Sequence, residues 1–419
     1  MAFIAPTGLS LAFLSGLFKY CTLQGFAFLP VYTWVGLWTS LFMILLGFGG
    51  ASKLIRYCTH FTDEIFNGLL SLNFIYEAWA SIHRNFALAD PINLTMPFVS
   101  LGIAFATFKA TMGTVAFRSS KYFNEIFRTI IKDFGPVAVI ILMSFVNQIP
   151  WIKKFGVPTL SVPSTLQLAG GRNLIVPFLS VPLSLRLKCM LPALLLTTLI
   201  FMDQNISVRV VNNPKNHLKK GEAYNIDMVV LGVITGFLSI AGLPWMCGAT
   251  VQSMNHVRAM TKMVYNKVTN ELEVDSVNET RVTGLVIHAM ILGTLSLLQY
   301  LRILPIPVVS GVFFFLGRKL MTGNTFLARI RDSVAESSRM PKDHPMNVIG
   351  RFKMNLFTFT QFACLMALWT FKQWSATAIF FPSAIGMLMV VRSFLLPNFF
   401  EEREFVALGD PTPRRNRLV

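Results

Sequence analysis

Residues 189–260 read CMLPALLLTTLIFMDQNISVRVVNNPKNHLKKGEAYNIDMVVLGVITGFLSIAGLPWMCGATVQSMNHVRAM. The apolar run from Cys189 to Met202 ends on Asp203, and a second run, Met228 to Leu243, breaks at Gly242-Leu243-Pro244-Trp245. At membrane depth, an ionisable side chain and a helix interrupted by Gly and Pro are both costly. Membrane carriers retain both because together they build ion sites near the bilayer midplane. The stretch therefore points to a carrier rather than to a simple anchor.

Composition agrees. Of 419 residues, 53% are hydrophobic and 14% charged, against roughly 25% charged in soluble domains. Mean hydropathy is +0.57. Apolar runs near the ~20-residue spanning length recur along the whole chain. The predicted spans cover 31–51, 61–82, 95–116, 129–148, 187–209, 226–243, 282–303, 306–321, 354–371 and 375–396, with two shorter broken segments at 3–19 and 244–260. This excludes a soluble domain on one anchor and predicts an all-α polytopic membrane protein.

The formal charge of +17 does not indicate nucleic acid, because the basic residues sit in short connections between spans rather than along one face. They follow the positive-inside rule. Connections assigned to the inside hold Lys53, Arg56, Arg118, Lys121, Arg128, Lys215, Lys219, Lys220, Arg258 and Lys267, and the tail 406–419 adds Arg414, Arg415 and Arg417. Five cysteines (Cys21, Cys58, Cys189, Cys247, Cys364) lack CxxC spacing, so neither a disulfide framework nor a zinc site is expected. Phosphate-loop, HExxH and GxSxG patterns are absent, which removes direct ATP drive and gives no support to a membrane enzyme. No cofactor is expected beyond a coupling Na+ or H+.

Four spans follow each broken segment, and two spans, 187–209 and 226–243, precede the second. An inverted repeat requires the same pair before the first. The expectation is therefore an N-terminally truncated chain, with a first-repeat remnant at about 1–150, a second repeat at about 186–397, and a membrane domain over 1–405. The broken segments also match chemically: Ile4-Ala5-Pro6-Thr7-Gly8-Leu9 and Leu243-Pro244-Trp245-Met246-Cys247-Gly248-Ala249-Thr250 each place Pro and Gly ahead of a short helix with a threonine near its start. A helix starting inside the membrane offers unpaired N–H groups and about half a positive charge, which suits a small anion. The competing reading is an ordinary Pro kink packed against its neighbours.

Asp203 and Ser207 are four residues apart and share one helix face. A carboxylate facing the half-helix ends is suited to hold Na+ or a proton beside the anion, offsetting its own burial. Alternatively Asp203 lies near the interface and pairs with Arg209. Glu77 is similarly placed in the 61–82 span and is an additional candidate.

Phe61-Thr62-Asp63-Glu64-Ile65-Phe66 with Phe74-Ile75-Tyr76-Glu77, Asp203-Gln204-Asn205-Ile206-Ser207, Leu218-Lys219-Lys220-Gly221, Gly242-Leu243-Pro244-Trp245, Ala249-Thr250-Val251, and Pro305-Ile306-Pro307 with Gly311-Val312-Phe313 occur in this order. Together they resemble the anion exchanger and bicarbonate transporter family, which includes sodium-bicarbonate cotransporters and borate transporters. The resemblance runs from residue 1 to about 405. It implies a fold of two inverted seven-segment repeats divided into core and gate domains, with the gate forming a homodimer interface, usually in the plasma membrane. On that pattern the chain begins at the third segment and lacks the large cytoplasmic domain of animal members.

Carried over by motif, the ion site falls on Thr7, Asp203, Ser207, Ala249 and Thr250, with Gln252 one helical step on. The backbone amides following Gly8 and Gly248 are expected to face the anion. Animal chloride/bicarbonate exchangers place Glu at the Asp203 position and Arg at the Gln252 position; sodium-coupled members have Asp at the former. The resemblance thus implies sodium-coupled bicarbonate transport by alternating access, serving pH and inorganic-carbon balance. Borate transport and chloride/bicarbonate exchange are the alternatives.

Overall fold

A computed structural model describes residues 2–51, 53, 59–90, 93–163, 167–212, 216–266, 271–374 and 380–411. Arg56, Cys58, Lys215, Lys267, the start of the 375–396 span and the tail beyond residue 411, with its three arginines, lie outside the described residues.

The elements in chain order are β1 (Ile4–Ala5), α1 (Gly8–Gln24), α2 (Phe28–Phe48), α3 (His60–Ala87), α4 (Thr95–Ala116), α5 (Glu125–Val146), α6 (Met190–Val211), α7 (Tyr224–Ile240), β2 (Cys247–Gly248), α8 (Thr250–Met260), β3 (Thr261–Asn266), β4 (Glu271–Val277), α9 (Val282–Gly293), α10 (Ile306–Met321), α11 (Thr325–Asp332), α12 (Arg351–Gln373), α13 (Phe381–Val390) and α14 (Glu402–Ala407). Among the described residues, six helices are long and apolar enough to cross a membrane, or seven if the bent pair α10 and α11 counts as one span. α3, at 28 residues, is long enough to span a membrane but carries Asp63, Glu64, Glu77 and Arg84.

The predicted spans correspond to helices. Two features were not foreseen: the strands β1 and β2 that lead into the half-helices, and the antiparallel hairpin β3–β4 that follows α8. β1 and β2 are two residues each and carry no period-2 run, whereas Glu271-Leu272-Glu273-Val274-Asp275 of β4 does alternate, a strand signal present in the sequence and overlooked.

The chain forms two compact units. One comprises Met1–Phe66, Leu168–Ile287 and Thr325–Val419; the other comprises Asn67–Gln167 and His288–Asn324. In the first, α2 and α7 lie against each other at backbone distance. A Cβ on Gly36 would meet Ser239 Oγ at 1.8 Å, so only glycine fits there. Small residues of this kind let membrane helices approach closely where no hydrophobic gain favours contact. Thr33 donates to the Ser239 carbonyl at 2.9 Å across the same seam.

α6 runs through this unit with every residue from Leu199 to Val208 buried. A helix buried all round has no solvent or lipid face for its polar groups. Asp203, Gln204, Asn205 and Ser207 must therefore find partners inside the protein.

In the second unit, α10 packs on α4, with Gly311 set against the Ala104 carbonyl and Thr107. Ser71 donates to the Gly317 carbonyl at 2.7 Å, and Ile103, Val157 and Val308 form a small core.

Candidate functional site

The two broken segments meet. β1 and β2 pair antiparallel in the register Ile4 opposite Gly248 and Ala5 opposite Cys247. The Ala249 amide extends the ladder to the Phe3 carbonyl at 2.8 Å, and the Phe3 amide donates to Ser253 Oγ at 2.8 Å. Antiparallel pairing of equivalent lead-ins is what a two-fold axis between inverted repeats produces. The first lead-in is extended in part because Pro6 disfavours helix at Ala5, the residue before it; Pro244 lies ahead of β2 and does not act on it in this way.

Close to this ladder α6 contributes its carboxylate. Asp203 is 2% exposed. Its Oδ2 accepts from Thr7 Oγ1 at 3.0 Å and from Cys247 Sγ at 2.9 Å, and these two donors lie 3.4 Å apart. One turn along α6, Ser207 Oγ donates to the Gly248 carbonyl at 2.9 Å and lies 2.6 Å from Thr250 Oγ1. Gly248 is confined: a Cβ there would stand 2.7 Å from Ser207 Cβ and 2.9 Å from Gln204 Oε1. That amide oxygen is buried with no hydrogen-bond partner among the described residues.

Each half-helix is held at its start. Thr7 caps α1 by accepting from the Ser10 amide while Ser10 Oγ accepts from the Thr7 amide, a reciprocal capping box. The second lead-in is fixed by Trp245, which stacks on Tyr32 at 4.0 Å and donates to Ser239 Oγ at 2.9 Å. Arg172 closes the break ahead of it, donating to the Ala241 and Gly242 carbonyls at 3.0 and 2.9 Å.

The structure thus brings these residues together as two hydrogen-bonded clusters one turn of α6 apart, Thr7–Asp203–Cys247 and Ser207–Gly248–Thr250. Arg209 pairs with Asp63 at 3.6 Å, so the alternative Asp203–Arg209 pair does not form. Three expected residues are placed differently. The Ala249 amide, expected to face an anion, is used by Phe3. Gln252 is exposed, because two residues past Thr250 is roughly 200° around the helix. Glu77 is exposed on the part of α3 that belongs to the second unit. The first-turn amides of Gly8 and Leu9 in α1, and of Thr250, Val251 and Gln252 in α8, have no intrahelical acceptor.

Sequence reasoning missed Cys247, Phe3 and Ser253. Cys247 and Phe3 are ordinary apolar residues until the lead-ins cross. No group of three His, Cys, Asp or Glu side chains suited to a metal is found among the described residues.

Paired half-helices around a buried carboxylate, within a multi-pass helical membrane protein, define the class. A family model described as "HCO3- transporter integral membrane domain" matches residues 1–96 and 89–413, and the chain belongs to that family. Anion exchange protein 3 of Rattus norvegicus is 29% identical over 450 residues, covering 98% of this chain and 36% of its own length. Sodium bicarbonate cotransporter 3 of Rattus norvegicus is 29% identical over 489 residues, covering 99% and 39%. The chain therefore spans little more than a third of these curated relatives. Among solved structures, the transmembrane domain of a cyanobacterium bicarbonate transporter, BicA, aligns with a TM-score of 0.48 and 15% identity over 87% of this chain and 83% of its own.

Proposed function

We propose that the chain carries bicarbonate across the membrane by alternating access, with a Na+ ion held at Asp203 as the coupling cation. One observation carries this reading: a single buried carboxylate accepts from one side chain of each half-helix lead-in, Thr7 and Cys247. An anion is held beside it by the free first-turn amides and the positive helix ends. The cation offsets the buried negative charge that would otherwise repel that anion. Family membership and the likeness to bicarbonate cotransporters support the choice of substrate.

Substrate moves the protein only by stabilising one conformation over another. Asp203 answers to the cation, the helix ends answer to the anion, and the shared ladder lets both act on one body.

The test is flux in proteoliposomes, reading internal pH with bicarbonate, borate or chloride, with and without Na+. Bicarbonate-dependent alkalinisation that requires Na+ is expected. Movement of borate alone would assign the site to that anion, and Na+-independent exchange of chloride for bicarbonate would remove the cation from the mechanism.

A further inference from the structure

The function proposed above leaves one buried nucleophilic group without a role. Cys247 is 1% exposed, and its thiol donates straight onto the oxygen assigned to the cation. Three features set its chemistry.

The first is geometric. Thr7 Oγ1, Asp203 Oδ2 and Cys247 Sγ form a triangle with sides of 3.0, 2.9 and 3.4 Å. The centre of that triangle lies about 1.8 Å from each corner, inside the roughly 2.3–2.6 Å that oxygen ligands keep from a hard cation such as Ca2+. A cation at that distance therefore sits roughly 1.4–1.9 Å above the plane of the triangle, as over one face of a coordination polyhedron, and both donor hydrogens must turn away from Oδ2.

The second is the difference between the two donors once turned. The Thr7 hydroxyl then offers a lone pair on oxygen, a good ligand for a hard cation. Cys247 offers sulfur, which is soft and prefers thiophilic metals. The third is an additional acceptor beside the same strand: buried Gln204 Oε1 has no donor among the described residues.

We infer that Cys247 is the specificity-determining ligand of the cation site: its sulfur keeps Na+ affinity low and leaves the site open to soft divalent cations. This inference rests on Asp203 being the cation ligand. Serine at position 247 would keep the same hydrogen bond to Asp203 in the cation-free state and add an oxygen ligand in the bound state. Alanine would remove the hydrogen bond and add no ligand. A residue that merely fills space would not separate the two.

The experiment measures the unfolding temperature of the purified chain against NaCl at constant ionic strength, for the parent and for Cys247→Ser, Cys247→Ala and Asp203→Asn. The half-saturating Na+ concentration is expected to fall about tenfold in Cys247→Ser and not in Cys247→Ala, reflecting the exchange of a soft for a hard ligand. Asp203→Asn should show no Na+ response. A second arm adds CdCl2 as a thiophilic probe to bicarbonate flux. Cd2+ binding releases the thiol proton to buffer, and block at about micromolar Cd2+, relieved by Na+, is expected in the parent and absent in Cys247→Ser.

Equal Na+ responses in the parent, Cys247→Ser and Cys247→Ala, with Asp203→Asn unresponsive, would overturn the role of Cys247 and leave the cation site standing. Cd2+ block that persists in Cys247→Ser would also overturn it. A Na+ response retained by Asp203→Asn, or absent from every variant, would instead sink the cation site itself, and this inference with it.

Discussion

The two half-helices occupy equivalent places and are held by different means. α1 has 17 residues and is closed by its own sequence at both ends. Thr7 and Ser10 cap its start, and Gly25, at φ +68°, forms a left-handed stop from which Phe26 donates back to the Cys21 carbonyl at 2.9 Å. α8 has 11 residues, and its N-cap, Ala249, makes no side-chain hydrogen bond. Its first residue is tied instead to Ser207 of α6, and its backbone entry to Phe3, just ahead of β1. One half-helix is therefore a local structure and the other a tertiary one. An inverted repeat conserves position without requiring that each copy be stabilised in the same way.

Asp203→Asn touches both halves at once and should have the largest effect. Cation-dependent flux is expected to fall at least ~10-fold at normal expression, since a neutral amide no longer attracts the cation. Flux with unchanged Na+ dependence would remove Asp203 from the mechanism. Gly248→Val comes next and is aimed at the tertiary half, where the new side chain must displace Ser207 or Gln204. A loss of about 1–3 kcal/mol is expected in denaturant unfolding, as for other overpacked sites.

Thr7→Ala breaks the local half, and losing the cap should cost about 1 kcal/mol. Amide exchange should rise in the first turn of α1 and stay unchanged in α8. Ser207→Ala should do the reverse at a similar or smaller cost, about 0.5–1.5 kcal/mol for a buried hydrogen bond. Faster exchange in α1 after Ser207→Ala would mean that the two halves are not independently held.

The smallest effect serves as a control away from both. Burial raises the Glu404 carboxyl, but the hydrogen bond from Lys353 at 2.6 Å, that from the Glu401 amide and the charges of Lys353 and Arg403 together outweigh it and bring the group below its ordinary value. A depressed folded value means stability that is present above the unfolded pKa of 4.5 and is lost as pH falls through the folded one. Melting temperature should therefore drop as pH falls below 4.5 more in the parent than in Lys353→Met.

Span positions were legible because twenty apolar residues in lipid have few alternatives to a helix. Asp203 and Ser207 were legible as one face because helical spacing fixes it. The β1–β2 ladder was not, since Ile4 and Gly248 are brought together by the fold and no local pattern records a two-residue pairing. The exposure of Gln252 was not legible for a related reason: the motif gave its neighbourhood, while the buried Thr250, Ser253 and His256 set which side of α8 faces inward. Cys247 was illegible because its role depends entirely on Asp203, forty-four residues earlier.

The pairing of Ile4 with Gly248 also constrains the order of synthesis. The backbone groups of Phe3 to Ala5 acquire their partners only when the chain has been extended by more than two hundred residues, past Ala249. Until then the first lead-in cannot rest unpaired in hydrocarbon, where each open backbone group is expensive. α1 can form early on its own capping box, but its entry must wait near water, against the translocation machinery, or in provisional contacts. The hydrogen-bonded cluster of Thr7, Asp203 and Cys247 is therefore completed late, and its assembly is a long-range step in biogenesis.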